Sequence, residues 1–168
     1  PVDLSDRCAF SGDGDVDARD VRALTRKQAE DIFVRDYFER PGIDGLPRPL
    51  QASVFDMYVN AGGNAVRILQ RLLRDMGLGV SVDGAIGPQT RTAVSQAMEK
   101  APSNLVDAYG IARRNYYYAI GDKRPKSRKY AKRRDGGKGG WIVRAEEFIA
   151  PQYHLSLADH LERTAAWG

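Results

Sequence analysis

Cysteine is almost absent from this chain of 168 residues: Cys8 stands alone, so no intrachain disulfide can form. The two histidines, His154 and His160, have no Cys/His spacing of the zinc type around them. No run of about 18 apolar residues occurs, which leaves nothing to span a bilayer, and the opening Pro1-Val2-Asp3-Leu4-Ser5-Asp6-Arg7-Cys8 lacks the basic and apolar regions of a secretory leader. No stretch alternates apolar and polar residues long enough to require a sheet. Redox, structural-zinc and membrane-spanning classes are therefore set aside, and an all-α protein is expected.

Charge is present in quantity but unevenly placed. Lys and Arg number 26 against 22 Asp and Glu, a net +4. Between Arg113 and Lys138 eleven basic residues face only Asp122 and Asp135, a net +9 that leaves −5 to the rest of the chain. Such a segment suits a polyanion, whether nucleic acid, anionic lipid or an anionic cell-wall polymer, because the attraction depends on charge and salt and little on the identity of the anion. A solvated loop explains the same charges equally well.

Helix signals punctuate the chain. Thr25-Arg26-Lys27-Gln28 has the form of a capping box, predicting a helix from there to about Arg40, before Pro41-Gly42, with Ala29, Ile32, Phe33 and Tyr37 on one face. Pro47 and Pro49 suit the start of a second helix that runs to Ala61. In it Leu50, Val54, Phe55, Met57, Tyr58, Val59 and Ala61 cover an arc of roughly 200°, while Ser53, Asp56 and Asn60 share roughly 60°. A helix so apolar belongs in the middle of a domain, and its narrow polar stripe must either be hydrogen-bonded internally or face a cleft.

A third helix is expected from Asn64 to Gly77, burying Ala65, Ile68, Leu69, Leu72 and Met76 and displaying Arg67, Arg71 and Arg74. A fourth starts at Gly87-Pro88, and a longer one runs from Ser103 to about Ile120. Its consecutive Tyr116, Tyr117 and Tyr118 point about 100° apart, so at most two can share a core and at least one ring is left for solvent or ligand. Gly121 to Gly140 reads as a long basic loop with one helical turn near Ser127–Arg133. A helix from Trp141 that stops before Pro151 and a short one between Ser156 and Trp167 complete the pattern.

Ser11-Gly12-Asp13-Gly14-Asp15-Val16-Asp17-Ala18-Arg19-Asp20 is similar to a dockerin or EF-hand calcium loop, but Ala9 occupies the place of its first aspartate. A hard cation needs about six to eight oxygens, so Asp13, Asp15, Asp17 and Asp20 are at most a weak calcium site, and a plain capping turn is the alternative. No other cofactor is expected.

Two strings carry a family resemblance: Gln51-Ala52-Ser53-Val54-Phe55-Asp56-Met57-Tyr58-Val59-Asn60-Ala61-Gly62 and Val82-Asp83-Gly84-Ala85-Ile86-Gly87-Pro88-Gln89-Thr90. Together they resemble glycoside hydrolase family 108, lysozyme-like N-acetylmuramidases of phage and prophage with a C-terminal peptidoglycan-binding region. The likeness continues through Arg35-Asp36-Tyr37-Phe38-Glu39-Arg40-Pro41-Gly42, Asn115-Tyr116-Tyr117 and Gly140-Trp141. It implies a lysozyme-like helical fold with residues 1–62 as the C-terminal part of a catalytic lobe, 63–150 as a peptidoglycan-binding region and 151–168 as a tail. It also implies action in the periplasm or cell wall.

The family's E-G-G-Y motif, which carries its catalytic glutamate, and its D-P-G-G-x-T-x-Y-G-I segment do not occur here. The expectation is therefore a muramidase piece that keeps the floor of the cleft and lacks the general acid. Cleaving the glycosidic bond needs an acid that retains its proton near neutral pH, which calls for an apolar surrounding. Asp56 is the carboxylate best placed beside one. Ser53, Asp56, Asn60, Tyr116, Tyr117 and Trp141 are the expected sugar contacts. A non-catalytic peptidoglycan binder is the alternative, and a nucleic-acid binder using the basic segment and the tyrosines is the least favoured.

Overall fold

The computed structural model describes residues 18–100 and 102–167. Among them are nine α-helices and no strand, the all-α, lysozyme-like class expected. The chain divides into two compact units, Pro1–Arg40 and Pro41–Gly168. Asp13, Asp15 and Asp17 of the calcium-like loop lie outside the described residues. Asp20 is buried within α1 (Ala18–Ala23).

In the first unit the capping box forms as read. The Thr25 hydroxyl accepts the Gln28 N–H at 3.3 Å and the Gln28 side chain accepts the Thr25 N–H at 2.9 Å, which starts α2 (Arg26–Val34). The helix does not reach Arg40 unchanged. Over Arg35–Glu39 it widens into a π turn, closed by the Arg40 N–H bonding the Arg35 carbonyl at 2.9 Å. Phe33 and Tyr37 stay on one face, their rings stacked 5.0 Å apart.

The second unit is built around one long helix. Its elements are α3 (Arg48–Ala61), α4 (Asn64–Asp75), α5 (Pro88–Lys100), α6 (Pro102–Lys123), α7 (Arg128–Ala131), α8 (Gly140–Glu146) and α9 (Leu157–Arg163). At 22 residues α6 is about 33 Å long, and α3, α4, α5, α7 and α8 all pack on it. The core between them comprises Leu50, Val54 and Met57 of α3, Ile68, Leu69 and Leu73 of α4, Ala93, Val94 and Ala97 of α5, Leu105 and Tyr109 of α6, and Ile142 and Ala145 of α8.

Local chemistry sets the ends of these helices. Prolines stand at the first turn of α3, where no N–H is needed. Gly77, at φ 81°, ends α4 in a left-handed turn, with the Leu78 N–H returning to the Leu73 carbonyl at 3.1 Å. One expectation for α4 fails. Met76 is 45% exposed and Leu72 half-buried, while Val66, Gln70 and Leu73 turn inward. The buried face of α4 is rotated from the expected one because Gln70, a polar residue, belongs to it.

The segment 121–140 is also more ordered than a long loop. α6 continues to Lys123, a 3₁₀ turn spans Pro125–Ser127, and α7 follows at once. The chain then reverses so that Lys132 and Lys138 pair across the turn. Gly139 passes so close to α7 that a Cβ there would lie 2.5 Å from the Tyr130 carbonyl oxygen. The tail is likewise fixed: Ser156 and Asp159 form a second capping box for α9, and the Trp167 indole donates to Asp122 at 2.8 Å.

Candidate functional site

The polar stripe of α3 meets protein, not open solvent, over most of its length. Ser53 is fully buried and its hydroxyl has no hydrogen-bond partner. One turn on, Asp56 accepts from two guanidiniums, Arg113 of α6 and Arg144 of α8, one on each carboxylate oxygen. Arg113 is 0% exposed and Asp56 10%, whereas Arg144 is 62% exposed. Asn60 lies at the surface and donates from Nδ2 to the Tyr117 hydroxyl at 2.7 Å, and that hydroxyl donates to the Met57 sulfur at 3.1 Å.

Three helices thus converge on one cluster, with Arg113 lying over the rings of Tyr117, at 5.8 Å, and Phe148, at 5.4 Å. Nothing in local spacing announced Arg113 as an interior residue except its register: Tyr109, Arg113 and Tyr117 fall at four-residue steps along one face of α6. Arg144 carried no signal at all.

The tyrosine triplet divides as its angular spacing requires. Tyr117 and Tyr118 are buried, and Tyr116 is half-buried with part of its ring open. Trp141 stacks on Tyr117 at 4.9 Å and also meets Tyr130 at 4.9 Å, so two neighbours already engage its ring. Of the expected sugar contacts, Asp56, Asn60, Tyr117 and Trp141 are therefore brought together, Ser53 points into the interior, and Tyr116 faces a different side.

Other polar groups organise the same unit. Gln70, buried in α4, holds the Asp83–Thr90 string. Its Nε2 lies 2.7 Å from Asp83 Oδ1, 3.0 Å from the Ala85 carbonyl and 3.1 Å from Thr90 Oγ1, and its Oε1 accepts the Gly84 N–H at 2.8 Å. Asp83 is held below the usual aspartate range, first by the Ala85 N–H and then by Gln70. This string is accordingly a folding device that closes the α4–α5 connection, with Gly84 at φ 87° making the bend.

Glu146 forms the second hub. It accepts from Arg114 at 2.9 Å, from the Leu155 N–H at 2.9 Å and from Lys138, while Arg114 also donates to the Tyr153 carbonyl at 2.8 Å. Burial works against its charge, but Lys138, the Leu155 N–H and Arg114 outweigh that and bring its proton affinity below the ordinary glutamate value. Arg113 and Arg114, two of the eleven basic residues between Arg113 and Lys138, are thus interior ion-pair partners and not part of a solvent-facing patch. A basic hollow of about 460 Å³ does remain, lined by Arg128, Lys129, Lys132, Arg133, Arg134 and Trp167 among others. Several of its cations are also occupied: Arg128 bonds the Gly121 and Trp167 carbonyls and Arg133 pairs with Asp135.

No group of three or more His, Cys, Asp or Glu suited to a metal ion exists among the described residues. Among the described residues, the carboxylates with displaced proton affinity, Asp83, Asp122, Asp135, Glu146 and Asp159, are all displaced downward, through hydrogen-bond donors or cations that favour the charged form.

With this arrangement in hand, comparison with known proteins defines the class. Residues 5–62 match the family model of glycosyl hydrolase 108, and residues 64–146 match that of the predicted peptidoglycan domain. The two matches meet at Gly63, the turn between α3 and α4. The resemblance to glycoside hydrolase family 108 is thereby shown, and the chain is an all-α protein whose function is peptidoglycan-degrading or peptidoglycan-binding. Among solved structures it is similar to that of Brucella abortus SagA, at 26% identity and a TM-score of 0.51 over 83% of this chain and 74% of that one. A search of curated proteins finds no match. Among the described residues no helix is long and apolar enough to cross a membrane.

Proposed function

We propose that this chain is the substrate-holding part of an N-acetylmuramidase acting on peptidoglycan at the cell wall, and that the acid which protonates the leaving oxygen is not among residues 18–100 and 102–167. The observation that carries the first half is the serial match of glycosyl hydrolase 108 and peptidoglycan-domain models along one chain. The second half rests on the carboxylates. A glycosidase acid keeps its proton near neutrality, which needs an environment that penalises its charge. Asp56, the cleft carboxylate suggested by the sequence, instead has a guanidinium on each oxygen. Both oxygens are thus ion-pair acceptors that tie α3 to its neighbours. Asp56 then serves by fixing α3 against α6 and α8, with Asn60 and Arg144 at the exposed edge of that junction.

Two measurements on the purified chain test this reading. It should co-sediment with insoluble peptidoglycan, and a peptidoglycan suspension should keep its turbidity in its presence. Clearing of the suspension, abolished by Asp56→Asn, would return the acid to Asp56 and overturn the assignment. Failure to sediment would overturn the wall-directed reading itself.

A further inference from the structure

The geometry points to a peptidoglycan-binding trough between α4 and α6, centred on Tyr116, in which an amino-sugar strand lies across the tyrosine ring and a carboxylate of its stem peptide reaches Arg71, Lys123 and Arg124. This rests on the wall-directed reading above and supplies the location it lacks. Two hollows carry it, one of about 410 Å³ and one of about 310 Å³. They share Arg71, Tyr116 and Ala119, so they are two ends of one depression divided by the tyrosine. All their lining residues fall between Asn64 and Arg124, inside the stretch that matches the peptidoglycan domain.

The lining has the composition of a sugar site. Ala112 and Ala119 stand four residues before and three after Tyr116 on the same face of α6, where any longer side chain would cover the ring. The ring is left half-buried, held from one side by the edge of Tyr117 at 6.0 Å. Such a surface accepts the C–H face of a pyranose, while Asn64 and Asn115 stand at the rim for hydroxyl and acetamido groups. From Ala112 to Lys123 the trough runs about 16 Å along α6, enough for a short oligosaccharide and too long for one sugar.

What separates this trough from the basic hollow near Trp167, where Lys129 and Arg134 are also without a protein acceptor among the described residues, is the half-open ring of Tyr116 beside its cations. Arg71, Lys123 and Arg124 are exposed and make no side-chain hydrogen bond or ion pair among the described residues, while Arg113, Arg114, Arg128, Arg133, Lys138, Arg144 and Arg163 are all committed to protein acceptors. Three uncommitted cations, Arg71 beside Tyr116 and Lys123 and Arg124 at one end, against the single carboxylate of Asp75 at the other, match a polymer that is a neutral amino-sugar strand with carboxylates on its peptide branches. Chitin, the same kind of strand without those carboxylates, should meet only the platform.

Sedimentation with insoluble peptidoglycan and with chitin, across a salt series, distinguishes the outcomes. The parent chain should be retained by peptidoglycan more strongly than by chitin, and the excess should vanish at high salt. Tyr116→Ala should weaken retention on both polymers about tenfold. The double substitution Arg71→Ala with Lys123→Ala should lower peptidoglycan retention to the chitin level and leave chitin retention unchanged. Ala119→Glu, which plugs the trough without removing a core side chain, provides a second route should Tyr116→Ala unfold. Lys129→Ala with Arg134→Ala, in the basic hollow, should change neither.

Peptidoglycan retention unaltered by the trough substitutions would overturn the trough while leaving the wall-directed reading standing. Loss only in the Lys129/Arg134 pair would move the site to the hollow. No retention of the parent chain by peptidoglycan would overturn both.

Discussion

Arg113 shows how much a single side chain commits this structure. A guanidinium with no solvent exposure loses its hydration, and it recovers that loss only through Asp56 and the faces of Tyr117 and Phe148. Removing the carboxylate strands the cation, so Asp56→Ala should destabilise the fold by about 3–5 kcal/mol. Arg144 holds the same carboxylate from the surface, where pairs contribute about 0–1 kcal/mol, so Arg144→Ala should cost no more than that. Urea unfolding of the two variants checks the contrast; equal losses would mean the pair is not the source. Gln70 offers a parallel case with neutral groups. Gln70→Leu removes the acceptor for the Gly84 N–H and the donor for Thr90 together, at about 1–3 kcal/mol for the partners left unsatisfied. The same urea series measures it.

At the scale of elements, the features legible in the sequence are those written in adjacent residues. Thr25 with Gln28, the prolines opening α3, and Gly77 closing α4 each act within about one turn of the chain, so their chemistry reads directly. The tyrosine triplet was legible for the same reason, since its angular spacing is a property of any helix. What could not be read is pairing at a distance. Whether Asp56 faced a sugar or an arginine depends on α6 and α8 approaching α3 across separations of 57 and 88 residues, and no local period encodes that. Gln70 misled for a related reason: its polarity places it outside on a helical wheel, and only Asp83, Gly84 and Ala85 of the following connection with Thr90 of α5 make the interior tolerable.

Gly139 marks a further limit, because its role appears only where the α7 backbone passes it. Gly139→Ala would bring a Cβ against the Tyr130 carbonyl and the Ala131 backbone, neither of which can rotate away. A loss of about 1–3 kcal/mol is expected, read as a lowered melting temperature. The neighbouring Gly140, with open space at its Cβ, should tolerate alanine.

For the whole molecule, acid should act in two stages, because two buried groups in the Pro41–Gly168 unit are each held in their unprotonated form. Burial lowers the proton affinity of His160 below its ordinary value of 6.5; the Gly137 carbonyl opposes this, Lys138 and Lys132 reinforce it, and Glu146 opposes it. The neutral ring lies with Nδ1 2.7 Å from the Tyr118 hydroxyl, whose own proton burial holds up to about 12. As pH falls through 6.5 the unfolded chain takes a proton at this position and the folded chain does not, so stability is complete above that value and declines below it. Glu146 adds a second decline. Its folded form resists protonation as pH falls through 4.5, where the unfolded chain accepts the proton. The melting temperature should therefore begin to fall below about pH 6.5 and fall more steeply below about pH 4.5. His160→Gln should flatten the first decline and leave the second. Glu146→Gln should lessen the second, to which Asp83, Asp122, Asp135 and Asp159 also contribute, and should lower the melting temperature throughout, because Lys138 and Arg114 lose their charged acceptor. A first decline that survives in His160→Gln would place the titrating group elsewhere.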